Sequence, residues 1–345
     1  EVQGSDVAAH SAGVLDIKTT ILPDADALFL TAIDRYGHEL WRWTFPVNKL
    51  NQANEVLSPL SNKVTSTETE NELTVKAKNH TFIFSKKDGQ LKGVSVNNRK
   101  ISFANGPRFI GARRADRSLD QFYNHDDEKA KEKDRTYSEF PDAAVFTKLD
   151  VKEDGGNLIV TADYKLGNLD KVQWTINPNG EAVLDYTYNF SGVVDLMGIC
   201  FDYPEDQVIS KRWLGAGPYR VWQNRIHGTQ YDVWENDYND PIPGETFTYP
   251  EFKGYFGSVS WMNIRTKEGT ISLTNETPDA YIGVYQPRDG RDRLLYTLPE
   301  SGISVLNVIP PVRNKVNSTD LCGPSSQPKW VNGPQSGRII FRFME

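Results

Sequence analysis

Residues Trp213 to Trp234 read WLGAGPYRVWQNRIHGTQYDVW. Gly215, Gly217 and Pro218 let the backbone turn sharply between sheet elements, because glycine adopts dihedral angles that a side chain forbids. Arg225 presents a planar fork suited to tying loops to carboxylates or carbonyls. Trp222, Tyr231 and Trp234, with Tyr238 just beyond, are sugar platforms if exposed and core or interface packing if not. His227, in Arg225-Ile226-His227-Gly228, is the only one of the five histidines set among such residues. Gly215-x-Gly217 lacks a third glycine and runs into Pro218, so it is no dinucleotide site.

Outward from this stretch the sequence period is two almost everywhere. Leu28 and Leu30 alternate with Phe29 and Thr31, and Trp41, Trp43 and Phe45 with Arg42 and Thr44. Leu73, Val75 and Ala77 form one face of a strand, as do Leu184, Tyr186, Tyr188 and Phe190, and Ile339, Phe341 and Phe343. Asp88-Gly89 and Asn179-Gly180 are hairpin signals, since tight primed turns need positive φ at their centre. Asp154-Gly155-Gly156 precedes another strand. The single helical candidate is Leu119 to Arg135, where Asp127 and Lys131 suit an i,i+4 pair. The acidic run Asp232 to Asp240 reads as a solvated loop. These patterns predict an all-β chain in three parts: residues 1–48 as two or three strands, 49–69 as a polar linker, and 70–345 as one large strand-rich domain. The first part is too short to be a complete sandwich of about 100 residues.

Composition excludes several functions. The 345 residues are 38% hydrophobic and 25% charged, with net charge −7. No basic stripe offers to neutralise phosphates, so nucleic acid is not expected as a partner. No apolar run approaches the roughly 18 residues that span a bilayer, so no membrane partner is expected either. Glu1 begins in polar sequence, consistent with a leader removed or a start in mid-chain. Cys200, in an apolar run, reads as a small buried hydrophobe, and Cys322 as a loop residue. Two cysteines form neither a disulfide framework nor a metal site. No cofactor, metal site or catalytic residue is expected. Aromatics make up 11% of the chain, which suits both a carbohydrate protein and the core of a β-sandwich.

In the opening stretch, Trp213, Gly215, Gly217, Pro218 and Arg225 match the signature of the last domain of family-two β-galactosidases, and the chain resembles that family. Trp222 stands where the family has Tyr, Asn224 where it has Asp, and Arg220 where it has Glu. Other segments match in the same order. Glu39 to Trp43 resembles the last strand of the preceding Ig-like domain. Asn79 to Phe84 with Asp88 to Leu91 resembles the opening hairpin of the final domain. Phe103 to Asp116 resembles its Arg-Ala-Pro-x-Asp-Asn strand, without the proline and final Asn. Asn317 to Pro324 resembles the late loop that reaches toward the sugar, with Asp320 at an acidic position and Leu321-Cys322 where the family stacks an aromatic residue.

The resemblance implies a galactose-mutarotase-like supersandwich preceded by a partial Ig-like β-sandwich segment. It further implies an accessory C-terminal region of a glycoside hydrolase, without the catalytic barrel. That barrel needs about 250 residues of alternating strands and helices, and no such stretch exists here. Expected partners are the rest of the parent enzyme and a galactoside-type glycan, and a periplasmic or secreted location suits that substrate. Candidate carbohydrate-binding residues are Trp222, Arg225, His227, Trp234, Asp320 and Trp330, with the Asn314 to Trp330 loop bordering the cleft. Two alternatives stay open. A stand-alone carbohydrate-binding module needs coplanar exposed Trp or Tyr. An aldose 1-epimerase needs His227 and a glutamate such as Glu235 or Glu251 in one pocket for general acid–base transfer.

Overall fold

The computed structural model describes residues 7–18, 20, 25–47, 63–114, 137–237, 254–284, 299, 301–311 and 323–345. The chain divides into two compact units, Glu1–Glu55 and Val56–Glu345. The first unit contains a hairpin of β1 (Ala27–Ile33) and β2 (Glu39–Pro46). Leu28, Leu30 and Ala32 lie opposite Phe45, Trp43 and Trp41 across it. These six share one apolar face, yet the three aromatics are close to half exposed. Two strands alone give a hairpin no core, and among the described residues this face is only partly buried.

The second unit begins with β3 (Thr65–Glu68), β4 (Glu72–Ala77), β5 (His80–Ser85), β6 (Leu91–Val96), β7 (Arg99–Ile101), β8 (Ala104–Arg114) and β9 (Tyr137–Glu139). It continues with β10 (Val145–Asp154), β11 (Asn157–Lys165), β12 (Leu169–Ile176), β13 (Ala182–Val194), β14 (Leu196–Asp202), β15 (Val208–Gly217) and β16 (Gln230–Asp237). Then come β17 (Trp261–Thr266), β18 (Gly269–Asn275), β19 (Tyr281–Val284), β20 (Ile303–Val308) and β21 (Lys329–Met344). Among the described residues these form two antiparallel sheets. One has nine strands in the order β10-β11-β12-β13-β21-β18-β17-β15-β16. The other has ten, in the order β19-β20-β14-β8-β6-β5-β4-β3, with β7 on β6 and β9 on β8. The expected all-β supersandwich is present in these two sheets.

Alternation explains the packing. Leu73, Val75 and Ala77 of β4 are buried, and so are Leu184, Tyr186 and Tyr188 of β13. Rings from the two sheets meet between them. Phe82 lies 6.1 Å from Phe343, Phe84 lies 6.2 Å from Trp174, and Phe201 lies 5.6 Å from Phe341. The turn glycines behave as their sequence contexts indicate: Gly89, Gly155, Gly156 and Gly180 all have positive φ.

β14 departs from the half-buried pattern. Leu196 to Phe201 are buried on both faces of the strand. Met197, Ile199 and Phe201 enter the core between the sheets. Leu196 and Cys200 point the other way, into a second apolar cluster with Ile110, Ala112, Leu306 and Ile309. That outer face is covered by Val221, Trp222 and Tyr255.

Two expectations meet the structure differently. Thr65–Glu68 was expected in the linker and instead forms β3, the edge of the ten-stranded sheet. All four of its residues are exposed, so it carries no apolar alternation to read. The acidic run from Asp232 was expected to be a loop, and up to Asp237 it is β16, the edge of the other sheet. Glu235 and Asp237 face water from that edge. The candidate helix Leu119 to Arg135 lies outside the described residues, as does most of the linker.

Phe341 is fully buried against Phe103, Trp174 and Phe201. Phe341→Ala should lower the unfolding free energy of the chain by about 3–5 kcal/mol, the usual loss for a deleted core phenylalanine, read from urea denaturation midpoints.

Candidate functional site

The sequence motif Trp213 to Arg225 crosses from one sheet to the other. It starts inside β15, where Trp213 is fully buried, sits edge-on to Phe256 at 4.8 Å, and donates its indole N–H to the Ala216 carbonyl at 3.0 Å. At Gly217 a Cβ would come within 2.4 Å of the Trp234 indole, so only glycine passes beneath that ring. The Gly217–Pro218 peptide is cis. Beyond it the chain runs as a strap onto the ten-stranded sheet.

The strap is held by backbone hydrogen bonds. Val221 and Tyr255 exchange N–H to carbonyl bonds of 2.7 and 2.8 Å, and Phe256 and Ile282 exchange two of 2.9 Å. Since Ile282 lies on β19, the edge strand is continued by Phe256, and Val221 pairs alongside Tyr255 in turn. Gly254 makes this approach possible, because a Cβ there would come within 2.0 Å of the Val221 carbonyl oxygen. Trp222, fully buried and edge-on to Tyr255 at 5.8 Å, seals the outer cluster. Arg220 is also buried, with its guanidinium 5.8 Å from the centre of the Phe256 ring.

Gln223 is the residue on which two distant segments converge. Its backbone N–H donates to the Pro310 carbonyl at 3.0 Å. Its side-chain amide donates to the carbonyls of Ser325 at 3.0 Å and Gln327 at 2.7 Å. Next to it, Asn224 donates to the Ser326 hydroxyl at 3.4 Å. Pro310 and Ser325 flank residues 312–322, which lie outside the described set. One buried residue thus ties down the base of the late loop on both sides, with its backbone N–H at Pro310 and its side-chain amide at Ser325 and Gln327, and leaving any of these groups unpaired while buried is costly.

The candidate sugar residues divide clearly. Trp222 lacks an exposed ring face, so the expectation of an exposed platform there is corrected: its indole seals a core. Trp234 is half-buried, packed over Gly217, and donates its N–H to the Gln230 carbonyl at 3.1 Å. Arg225 and His227 are exposed in the turn beyond the strap. Trp330, on β21 opposite Val193, is 70% exposed. Asp320, Glu251 and Tyr238 lie outside the described residues, as do Leu321 and Cys322. Tyr231 shares a 2.6 Å hydrogen bond with Ser260 and is half-buried. Sequence reasoning missed Gln223 and Tyr255, whose partners lie far along the chain.

Chemistry at the described titratable groups is restrained. Burial pushes the Cys200 thiol up to about 11, against the opposing influence of the nearby Arg108, so at neutral pH it is a protonated core group. Among the described residues no group of three or more His, Cys, Asp or Glu side chains is arranged to hold a metal.

The model of the family described as beta galactosidase small chain matches residues 76–309. No curated protein matches the chain. A crystal structure of galactose 1-epimerase from Lactobacillus acidophilus is 10% identical, covers 83% of this chain and 99% of that one, and has a TM-score of 0.46. A structure of a GalM/aldose epimerase homologue from C. elegans is 9% identical, covers 81% and 99%, and has a TM-score of 0.38. At those scores the likeness adds nothing to the fold, which rests on the sheets themselves.

Gln223→Ala removes both side-chain bonds to the loop base while leaving the backbone strap intact. Trypsin should then cleave after Arg313 and Lys315 several-fold faster than in the wild type, and stability should fall by about 1–3 kcal/mol. Limited proteolysis with mass spectrometry reads the first effect and urea unfolding the second.

Proposed function

The chain belongs to the beta-galactosidase small chain family, and from that premise we propose that it is the accessory C-terminal region of a β-galactosidase-type glycoside hydrolase. In this reading it supports a catalytic barrel that it does not itself contain. It borders the carbohydrate cleft with the loop between Asn314 and Trp330. The observation that carries the reading is the Gln223 clamp. A loop that only closes the chain needs no buried residue tying down both its ends, whereas a loop that meets a substrate must be held in one place. Among the described residues, Arg225, His227 and Trp330 are the exposed members of the candidate set and are available to touch a glycan.

The half-exposed face of Trp41, Trp43 and Phe45 supports the same assignment. An apolar face of this kind is stable when further strands cover it, and the remaining part of an Ig-like sandwich is the natural cover. The rest of the parent hydrolase and a galactoside-type glycan are the proposed partners. A periplasmic or secreted setting goes with that substrate.

A stand-alone carbohydrate-binding module is the second reading, favoured by the 70% exposure of Trp330. The epimerase reading is no better supported: it needs His227 in a concave pocket beside a glutamate, and His227 and Glu235 are both exposed.

The test is a chromogenic galactoside assay on this chain alone and together with the catalytic portion of the parent enzyme. The chain alone should give no turnover. In the assembly, Gln223→Ala should raise KM several-fold with little change in kcat, because a displaced loop weakens substrate binding rather than the chemical step. Turnover by the chain alone, or an unchanged KM, contradicts the proposal.

A further inference from the structure

The ten-stranded sheet has a gap. β6 pairs with β8 only at Leu91 and Gly106, and β9 joins β8 from Ala112 onward. Between these points Arg108 to Gly111 pair with β14 on one side and with no described strand on the other. The Gly111 carbonyl accepts a 2.7 Å hydrogen bond from the Phe140 N–H. Backbone groups alternate along an antiparallel strand, so Phe109 turns its own N–H and C=O the same way, into the gap. A cavity of about 440 Å³ opens there, within the range of about 300–1,000 Å³ typical of small-molecule sites.

Its walls are of two kinds. Gln90, Arg108, Glu139 and Asp142 bring polar groups to it, and the rings of Phe146 and Tyr164, edge-on at 5.9 Å, form an apolar side. Several of these groups are fixed from behind. Arg108 donates to the Asp202 carboxylate at 2.7 Å, the Tyr164 hydroxyl donates to the Asp88 carbonyl at 2.8 Å, and Asp142 accepts from the Ala144 N–H at 3.1 Å. The charges oppose one another. An anionic ligand would meet Asp88, Glu139 and Asp142, and a cationic one would meet Lys87 and Arg108. A neutral ligand dense in hydroxyls avoids both penalties. Each hydroxyl can accept from a guanidinium and donate to a carboxylate. The C–H face of a pyranose suits an aromatic wall.

We infer that the gap between β6 and β9 is a binding site for a neutral mono- or disaccharide, separate from the late loop. The site lies on the β8 edge, and none of Trp222, Arg225, His227, Trp234 or Trp330 lines it. The inference therefore stands or falls independently of the loop's role.

Calorimetric titration of the full chain with galactose, lactose and, as a charged probe, glucuronate tests it. Galactose or lactose should bind, and Glu139→Ala and Gln90→Ala should each weaken binding at least tenfold with unchanged urea midpoints. Gln223→Ala should bind as the wild type does. On the wild type, irradiation of aromatic protons should transfer saturation to sugar C–H protons, a readout that needs no variant. Four results would each overturn the inference: no binding of either neutral sugar, binding unchanged in both pocket variants, binding lost only in Gln223→Ala, or tighter binding of glucuronate than of galactose.

Discussion

A strand buried on both faces sets the terms for the rest of this structure. Leu196 to Phe201 of β14 are buried without interruption. One face is satisfied by the core between the sheets. The other would expose Leu196, Cys200, Ile110, Ala112 and Leu306 to water, at a cost that scales with apolar area, about 25 cal/mol per Å². The strap of Val221 and Trp222, backed by Tyr255, removes that area from solvent. Its position is therefore dictated by packing, and its position dictates where Gln223 lies. The base of the late loop is fixed by a polar side chain whose place is decided by apolar burial.

The glycines and aromatics of the opening motif have specific physical duties. Gly217 passes beneath Trp234, and Gly254 lets Tyr255 reach Val221. Trp213 and Trp222 are both fully buried, one in each of the two apolar clusters. Among the described candidates the exposed ones lie on either side, Arg225 and His227 after the strap and Trp330 on β21. Arg220, where the resembled family has a carboxylate, is buried over Phe256.

Much of the fold was legible in the sequence because alternation and turn chemistry are local. Leu73, Val75 and Ala77 are readable as one face without knowing their partners, and Gly89 and Gly180 mark their turns on their own. Edge strands were not legible. β3 is Thr-Ser-Thr-Glu, exposed throughout, and β16 carries acidic residues that read equally well as loop. The outer cluster was hidden for another reason. A continuous apolar run such as Leu196 to Phe201 announces burial, but not what covers it. Trp222 illustrates the limit: a Trp in a Gly-rich motif reads as a platform or as core, and only its contact with Tyr255, a residue far along the chain, decides. Gln223 was invisible for the same reason, since its partners at Pro310, Ser325 and Gln327 are distant in sequence.

The central claim is that apolar sealing by Trp222 positions the loop base, and native-state hydrogen exchange reads this directly. In the wild-type chain the amides of Val221, Gln223 and Tyr255 should exchange as slowly as those of β14. In Trp222→Ala, which loses about 3–5 kcal/mol of packing, they should exchange at least about a hundredfold faster, since each 1.4 kcal/mol is a factor of ten. The amides of β4 and β5 should respond far less. Fast exchange at Gln223 in the wild type, or protection there that survives Trp222→Ala, would contradict the account.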